Sequence, residues 1–594
     1  MSRRRLGGVA LTVALVGVFA YVSVAYAPSY VGTPAATQTI AWPTGATVNY
    51  KQWTGNAAAT NVTGGAVTAA IDAAMATAGT AAGLSFVNTG TQSGTGDIGF
   101  TGGSFTSNGA NLISMANTTG NVAAVGGALA ITAFFYSVPG NTIVEADMVF
   151  NPAFNFTTNA TAGQYDLQAV ATHEAGHALG LDHSPLCHAS LFPFVYPDQT
   201  ILRSFERDDE AGVRQLYPTA PVTFPPGYGT VTGTILKNTG GGAAGAHVFL
   251  TDVIRGTVGP GAVATASGAF SISGVPVGVY KVTVEPINGP MNTSNLSFSG
   301  WNGITFSTSF LTTSLGGNAT PTFVPVRAAV ASNVGNITVT TTAPALNPTA
   351  ATASASGTGG FGFSSGRPAV FAPGAAQFIQ IWGIGFNTLP DGAFSIDSPY
   401  VTISGPSTNS GSLAGSGFKS FAISVNAAAP PGGSAIKMTN AGETAYGAGL
   451  VVVTPPTVPV ASVQSFGVSC PAVGAITMTT QGVPSIGNAA FQLRANGTTA
   501  GRTAYFLLSG NPDAFVSAGN FSGAASCSIY VDLNNLIFPF PGLVAPATAP
   551  FTVQPIPVPN TPALSGTDVY AQVAEIDTAT GAIKVTQGML LAVR

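Results

Sequence analysis

Charged residues are scarce in this chain, and so are histidine and cysteine. Lysine and arginine together number 18 and aspartate and glutamate 22, so 7% of the 594 residues are charged, against about 25% in a typical soluble domain. The net charge of −4 offers no basic surface for a phosphate backbone, so nucleic acid is not an expected partner. With only 3 cysteines, at most one disulfide can form within the chain.

The long apolar run of this sequence lies at the N-terminus. Arginines at positions 3–5 precede an apolar stretch over residues 6–24, and Ala25-Tyr26-Ala27 then gives a small-x-small cleavage pattern. These features predict a signal peptide over residues 1–27 and a secreted or cell-surface protein. Because Pro28 disfavours cleavage directly after Ala27, an earlier cut and an uncleaved anchor both stay open. No transmembrane helix is expected beyond this segment, since no later apolar run is long enough to span a bilayer.

Glycine and proline are abundant, with 75 and 41 residues, and they separate short segments of alternating polarity. This pattern is typical of β-sandwiches, and the length implies several domains because a single core rarely exceeds about 250–300 residues. The first region differs, since Val67, Ile71 and Met75 follow helical spacing between predicted strands. We therefore expect a multidomain protein: an α/β (α+β) domain with a twisted mixed sheet and a late active-site helix, followed by about three all-β sandwiches.

Four of the 5 histidines fall between positions 173 and 188, and three of them form a spaced motif with a glutamate. His173 and His177 are four residues apart, so a helix places both imidazoles on one face, where they can bind one Zn²⁺. Glu174 can then reach a water on the metal as general base. Gly180 can end the helix and let the chain return His183 as third ligand. Three protein ligands leave one position open, which is typical of a catalytic zinc.

This motif resembles the metzincin zinc peptidases, and its surroundings resemble the matrixin branch, the matrix metalloproteases. The helix lead-in 165–172, Ser184, the strand 146–151 and the closing helix 208–218 are also similar to that branch. The resemblance covers about residues 38–218. It implies a zinc metallopeptidase domain over residues 28–218 with one catalytic Zn²⁺, and it leaves a structural Ca²⁺ open.

Two features depart from the family pattern. The family's Met-turn should follow the third histidine, and in the best match, residues 190–193, Phe192 stands where methionine is expected. The resemblance implies that Phe192 is the hydrophobic base below the zinc and that Pro193 and Tyr196 line the pocket for the side chain after the cleaved bond. Family zymogens are often blocked by an upstream cysteine, but none precedes Cys187 here. Cys187 itself is either a plain loop side chain or a thiolate that reaches the zinc in a latent state.

The remainder of the chain predicts three all-β domains joined as independent units by linkers. Residues 226–340 resemble the carboxypeptidase-regulatory-like (transthyretin-like) domain, and residues 369–454 an immunoglobulin-like domain of the IPT/TIG type. Residues 341–368, rich in Ala, Thr, Ser and Gly, are typical of a flexible linker. Residues 460–594 predict a further sandwich. None of these three regions carries a cluster of acid, base or metal-ligand residues in its sequence.

Three residues outside the motif were assigned from the sequence. Cys470 and Cys527 lie in the same C-terminal region, and we expect them to form the disulfide. His247 is interpreted as a strand residue, with a metal-ligand role as the alternative.

Two functions from different classes are compatible with these residues. The first is a secreted zinc endopeptidase that cleaves proteins or peptides, with Glu174 taking the proton of the attacking water. The alternative is a surface adhesin or scaffold with a vestigial peptidase domain, whose β-sandwiches bind other macromolecules or glycans. A decayed site would be expected to lose its base or a ligand first, and all four residues are present. Surface or glycan contacts through the sandwiches are compatible with the enzyme as well.

Overall fold

The computed structural model describes residues 21–22 and most of the chain from residue 40 onwards. The segments after residue 40 that it does not describe are 57–61, 63, 138–140, 160, 162, 198, 219–226, 297–303, 355–363, 414, 456–460, 468, 471–474, 518–527, 534–535, 540–541, 547–550, 566, 578 and 581. The predicted signal peptide therefore lies outside the described residues, apart from a two-residue strand. Within the described part, no helix is both long and apolar enough to cross a membrane.

The first domain is built on a mixed six-stranded sheet. Its helices are α1 (Gly64–Ala82), α2 (Thr119–Val125), α3 (Leu167–Ala178) and α4 (Arg207–Leu216). Its strands are β1 (Tyr21–Val22), β2 (Thr47–Trp53), β3 (Ser85–Gln92), β4 (Phe100–Thr101), β5 (Ser104–Phe105), β6 (Asn111–Ser114), β7 (Ala130–Ser137), β8 (Thr142–Phe150), β9 (Phe156–Thr157) and β10 (Tyr165–Asp166). The sheet order is β1-β7-β8-β6-β2-β3, in which β2, β3, β6 and β8 run parallel and β7 runs antiparallel to β8.

Helix α1 connects the parallel strands β2 and β3, as a crossover between parallel neighbours requires. Its apolar face, with Ile71, Ala74, Met75 and Ala78, is buried at 3% exposure or less. The small alanines let α1 pack closely against α3. Both helices contribute to one cluster of buried residues, all between positions 40 and 217, which we name the first-domain core.

Two β-sandwiches follow, each with two sheets around a shared apolar interior. The second domain contains β11 (Tyr228–Lys237), β12 (His247–Asp252), β13 (Thr257–Val263), β14 (Ala269–Pro276), β15 (Gly278–Glu285), β16 (Thr313–Ser314), β17 (Phe323–Val326) and β18 (Ala331–Val339). The third domain contains β19 (Pro348–Ser354), β20 (Ala369–Phe371), β21 (Ala376–Gly383), β22 (Phe394–Ile396), β23 (Val401–Leu413), β24 (Ser416–Val425), β25 (Gly432–Asn440) and β26 (Glu443–Val453).

The C-terminal region forms a further all-β unit, in which the larger sheet has seven strands. Its strands are β27 (Ser462–Phe466), β28 (Thr477–Gln481), β29 (Gln492–Asn496), β30 (Thr503–Ser509), β31 (Pro512–Ser517), β32 (Ser528–Val531), β33 (Leu536–Pro539), β34 (Leu543–Val544), β35 (Phe551–Pro555), β36 (Asp568–Ile576), β37 (Ile583–Val585) and β38 (Gly588–Ala592). Apolar side chains of the seven-stranded sheet and of the sheet β28-β29-β35 share one interior.

The third domain begins earlier than its sequence indicates. Strand β19 lies inside the predicted linker 341–368, yet it pairs antiparallel with the buried strand β21. Its Ala- and Thr-rich composition is typical of a linker, but Ala350 and Ala351 are fully buried in the sandwich. Small residues suit this position because they pack against the large side chains of β21.

The domains are also packed together rather than joined as independent units. One buried cluster combines side chains of three domains, and we name it the junction cluster. It contains Cys187, Phe192 and Tyr196 of the first domain, Ile287, Met291 and Leu296 of the second, and the interior of the third, including Phe371, Ile436 and Leu450. The segment that follows the third motif histidine is therefore enclosed by the neighbouring sandwiches.

Candidate metal centre

Helix α3 carries the first half of the motif and is fixed at both ends. Asp166 caps its start by accepting a hydrogen bond from the Ala169 amide (2.9 Å), and Arg203 donates to the same carboxylate. At the other end Gly180 has a φ of +96°, and a Cβ there would lie 2.3 Å from the Ile40 carbonyl oxygen. Glycine is thus required where the chain leaves the helix.

The turn at Gly180 brings the third histidine back to the helix. His173, His177 and His183 each offer a ring nitrogen, and these atoms lie within 4.8 Å of one another. His173 and His177 are buried at 7% and 1% exposure, and the side chain of His183 is 14% exposed. Among the described residues, no other group of three histidine, cysteine or acidic side chains converges in this way.

Each of the three imidazoles is anchored through its Nδ1 atom to a backbone carbonyl. The acceptors are the carbonyl oxygens of Ser190 for His173 (2.7 Å), Leu181 for His177 (2.8 Å) and Asn295 for His183 (2.7 Å). Because a carbonyl oxygen can only accept, Nδ1 carries the proton in each ring and Nε2 presents a lone pair.

Burial keeps these rings neutral. Burial and, to a smaller extent, the neighbouring His183 lower the pKa of His173 to about 3. Burial likewise lowers the pKa of His183 to about 4 and the pKa of His177 well below its ordinary value. Neutral imidazole is the form that binds metal ions.

The donor set fits a zinc ion. The Nε2 atoms of His173 and His177 lie 2.9 Å apart, and both carry lone pairs. Two such acceptors repel each other unless a cation lies between them, and neutral histidine nitrogens are preferred zinc ligands. Metal-binding histidines commonly donate their outer ring N–H to such a carbonyl oxygen, which fixes the orientation of the ring.

Glu174 stands beside the first histidine and is held by strand β7. The Thr132 hydroxyl lies 2.7 Å from Glu174 Oε2 and 3.0 Å from the Glu174 carbonyl oxygen. Burial raises the pKa of Glu174 to about 8, and the hydrogen bond from Thr132 opposes that rise. The carboxylate is thus oriented next to the imidazoles without taking part in their cluster.

These side chains lie at the bottom of a cleft of about 370 Å³. One wall is the start of β7 with the residues before it, and the other is the segment Pro193, Phe194 and Val195. The cleft lining comprises Gly127, Ala128, Leu129, Ala130, Ile131, Phe154, Tyr165, Val170, His173, Glu174, His177, His183, Pro193, Phe194 and Val195. The groove is therefore mostly apolar, with the polar groups gathered at its floor.

Helix α4 holds the segment between His183 and this wall. The Asp209 carboxylate accepts hydrogen bonds from the amides of Ser190 (2.8 Å) and Leu191 (3.1 Å). The Ser184 hydroxyl donates to Asp208. Asp209 therefore fixes the peptide that carries the Ser190 carbonyl, the acceptor that anchors His173.

Phe192, the predicted hydrophobic base, and its neighbour Leu191 lie in different buried clusters. Phe192 is fully buried, but it belongs to the junction cluster and packs against Gly366. Leu191 instead belongs to the first-domain core and contacts helix α3, where a Cβ on Gly176 would lie 2.6 Å from Leu191 Cδ2. Consecutive residues of this turn point to opposite sides, so a shift of one position exchanges their surroundings.

The other predicted residues are distributed as follows. Pro193 lines the cleft, whereas Tyr196 is absent from the lining and donates a hydrogen bond to the Ser365 carbonyl. Cys187 is a free thiol buried in the junction cluster, where burial raises its pKa. Cys470 is disulfide-bonded, and its predicted partner Cys527 lies outside the described residues, so that pairing stays a prediction.

His247 lies in strand β12, 2.9 Å from Glu285 and outside the histidine cluster. Its interpretation as a strand residue agrees with this position.

Sequence reasoning missed the groups that orient the motif. The hydroxyl of Thr132 lies 42 residues before Glu174, and the Asn295 carbonyl lies 112 residues after His183. Backbone carbonyls leave no signature in a sequence. The acids of α4 were visible as part of the closing helix, but their contact with the turn at Ser190 depends on the fold.

Comparisons with known proteins support the resemblance of the first domain to the matrixins. Residues 42–218 match the family model of Matrixin (Peptidase_M10). The chain is similar to Metalloendoproteinase 4-MMP of Arabidopsis thaliana, with 35% identity over 95 residues, which are 16% of this chain and 27% of that protein. It is also similar to Matrix metalloproteinase-25 of Homo sapiens, with 40% identity over 105 residues, 17% of each. The chain thus spans about a quarter or less of the length of these relatives.

Solved structures add nothing to this assignment. The major pilin subunit BcpA of Bacillus cereus covers 61% of this chain and 95% of its own, but at 11% identity and a TM-score of 0.11. The matches to the matrixin family and its relatives support a zinc metalloprotease domain in residues 42–218.

Proposed function

We propose that this protein is an exported zinc-dependent endopeptidase that hydrolyses peptide bonds in proteins. The observation that carries the proposal is the convergence of three neutral, carbonyl-anchored imidazoles beside Glu174 at the floor of an open cleft. His173, His177 and His183 would hold the ion. When bound, Zn²⁺ supplies polarisation of the scissile carbonyl and a lowered pKa for a water molecule.

Proton transfer, substrate binding and support of the site are assigned to residues of the chain. In its ionised form, which a cation held by the three histidines would favour, Glu174 accepts the proton of the attacking water and delivers it to the leaving amine, while Thr132 keeps the carboxylate oriented. The apolar cleft binds an extended substrate between β7 and the wall at Pro193 and excludes bulk water from the reacting atoms. We assign the hydrophobic base below the site to Leu191 in place of Phe192, because Leu191 contacts helix α3.

The predicted alternative, a vestigial peptidase domain on an adhesin or scaffold, is not favoured. A site without selection for chemistry has no reason to keep three ligands, their acceptors and Glu174 in one place. Contacts of the sandwiches with surfaces or glycans stay a prediction compatible with the enzyme.

The direct test replaces the proposed base and leaves the ligands. In the purified full chain we expect about one zinc per molecule and cleavage of an unstructured protein that a chelator abolishes and added zinc restores. Glu174→Gln should retain the zinc and lose activity by roughly 10²–10⁴-fold, because the amide cannot take a proton. Metal analysis and a cleavage assay measure both quantities.

The matched control is Glu210→Gln, on helix α4, where the carboxylate pairs with Arg214 and does not line the cleft. It should keep full zinc content and activity. Activity of Glu174→Gln close to that of the control would reject the role of Glu174, and a wild-type chain that takes up no zinc would reject the proposed function.

A further inference from the structure

The third motif histidine is anchored by a different domain from the other two. His173 and His177 donate to carbonyls of their own domain, whereas His183 donates to Asn295 of the second domain at 2.7 Å. Within the first domain, the carboxylate nearest to His183 Nδ1 is that of Asp182, at 3.9 Å, which is beyond hydrogen-bond distance. The orientation of His183 therefore depends on a contact across the domain boundary.

The turn that presents Asn295 is built to hold its shape. Asn292 Oδ1 accepts from the Ser294 amide (2.9 Å), and Asn295 Oδ1 accepts from the Asn292 amide (3.0 Å). Such reciprocal side-chain caps fix the backbone of a short turn. On either side of the turn, Met291 and Leu296 are buried at 2% and 5% exposure in the junction cluster.

These contacts give the second domain a place in the metal site. An acceptor on the outer nitrogen of a metal-binding histidine fixes its tautomer, its ring orientation and its basicity. His173 lies on a rigid helix, but His183 follows the helix end and has no such support from secondary structure. We propose that the Asn295 carbonyl is the positioning group of the third metal ligand, so that the second domain tunes the metal affinity of the first. This inference rests on the proposed zinc site.

The test loosens the turn and measures metal binding rather than cleavage. Because the acceptor is a backbone atom, the variant removes the side chains that cap the turn, Asn292→Ala with Asn295→Ala, in the full chain. We expect zinc affinity in a chelator competition to fall roughly 10- to 100-fold. The visible absorption of the cobalt-substituted protein should change, since a looser His183 alters the coordination geometry. Asn292→Asp with Asn295→Asp keeps the acceptor oxygens and should restore both readouts.

A matched control comes from the same domain. Asn333 is exposed and its Oδ1 accepts from the Gly335 amide at 2.8 Å, so Asn333→Ala removes a similar cap at a different turn of the domain. It should leave zinc affinity and the cobalt spectrum unchanged. Should the double alanine variant bind zinc as tightly as this control with an unaltered spectrum, the inference is overturned while the proposed function stands. A wild-type chain that binds neither metal would overturn both.

Discussion

The two sides of the cleft floor are held by different parts of the molecule. On the helix side, His173, Glu174 and His177 lie on α3, and most of the apolar side chains of α3 belong to the first-domain core between residues 40 and 217. On the loop side, Cys187, Phe192 and Tyr196 enter the junction cluster with the second and third domains. The residues proposed for catalysis thus belong to one domain, and His183, Phe192 and Tyr196 contact its neighbours.

The boundary between the two sides runs between adjacent residues. Leu191 turns into the first-domain core and Phe192 into the junction cluster. Burial is nearly complete for both, so the difference lies in which partners each side chain contacts. A change on the helix side should therefore affect the metal directly, and a change on the loop side should first affect domain packing.

The largest expected effect is a difference in zinc affinity between variants at these two residues. Leu191→Ala leaves a cavity under α3 and should lower the free energy of unfolding by about 2–5 kcal/mol. Zinc affinity should fall with it, by roughly tenfold or more, because the helix that carries two ligands loses its support. Phe192→Ala should also destabilise the protein but keep zinc affinity within about twofold of the wild type.

Denaturant unfolding and chelator competition on both variants measure this difference. The reverse result, with zinc lost in Phe192→Ala and kept in Leu191→Ala, would identify Phe192 as the hydrophobic base and would contradict the proposed role of Leu191.

The next effect tests the docking of the third domain. His188 is 2% exposed and lies against Gly449, where a Cβ would come within 2.2 Å of His188 Nδ1. Gly449→Ala should therefore displace the ring and weaken docking by about 2 kcal/mol. The Cys187 amide donates to the Ala448 carbonyl at 3.1 Å, so undocking should expose the buried thiol, and native alkylation of Cys187 should accelerate roughly 30-fold.

Gly442→Ala serves as the control, because Gly442 also has a positive φ (+85°) but nothing lies within 4 Å of its Cβ position. The control carries the same type of backbone strain without the clash. Equal alkylation rates in the two variants would mean that the contact of His188 with Gly449 does not hold the third domain in place.

The same contrast explains what the sequence could predict. The helix side was predictable because its determinants are local: the spacing of His173 and His177, the adjacent Glu174 and the glycine at 180 all act within one helix and its end. Helix α3 and the cluster of three imidazoles are found as expected. Strand β8 also overlaps the predicted strand 146–151.

The loop side was not predictable, because its determinants are distant in sequence. Asn295 contributes its backbone carbonyl from another domain, and the residue type at that position does not predict this contact. The choice between Leu191 and Phe192 depends on one residue of register in an irregular turn. Strand β19 could not be recognised from the sequence, because alanine and threonine suit both a linker and a strand that is buried by a neighbouring sheet.

The smallest expected effect concerns the wall of the cleft. Gly366 of the third domain has a φ of +78°, and a Cβ there would lie 2.6 Å from Phe192 Cζ and from the Tyr196 hydroxyl oxygen. These two residues flank Pro193, Phe194 and Val195, which line the cleft, so Gly366→Ala should shift the wall without touching the histidines. For peptides that differ in the side chain after the cleaved bond, we expect KM to change by roughly three- to tenfold while kcat stays nearly constant, the magnitude of a small change in an apolar pocket.

Gly374→Ala, with almost the same φ (+79°) and no atom within 3.7 Å of its Cβ position, should leave both constants at the wild-type value. If both variants give wild-type KM values across the peptide series, the third domain does not shape the pocket, and the loop side would be a packing surface with no part in substrate selection.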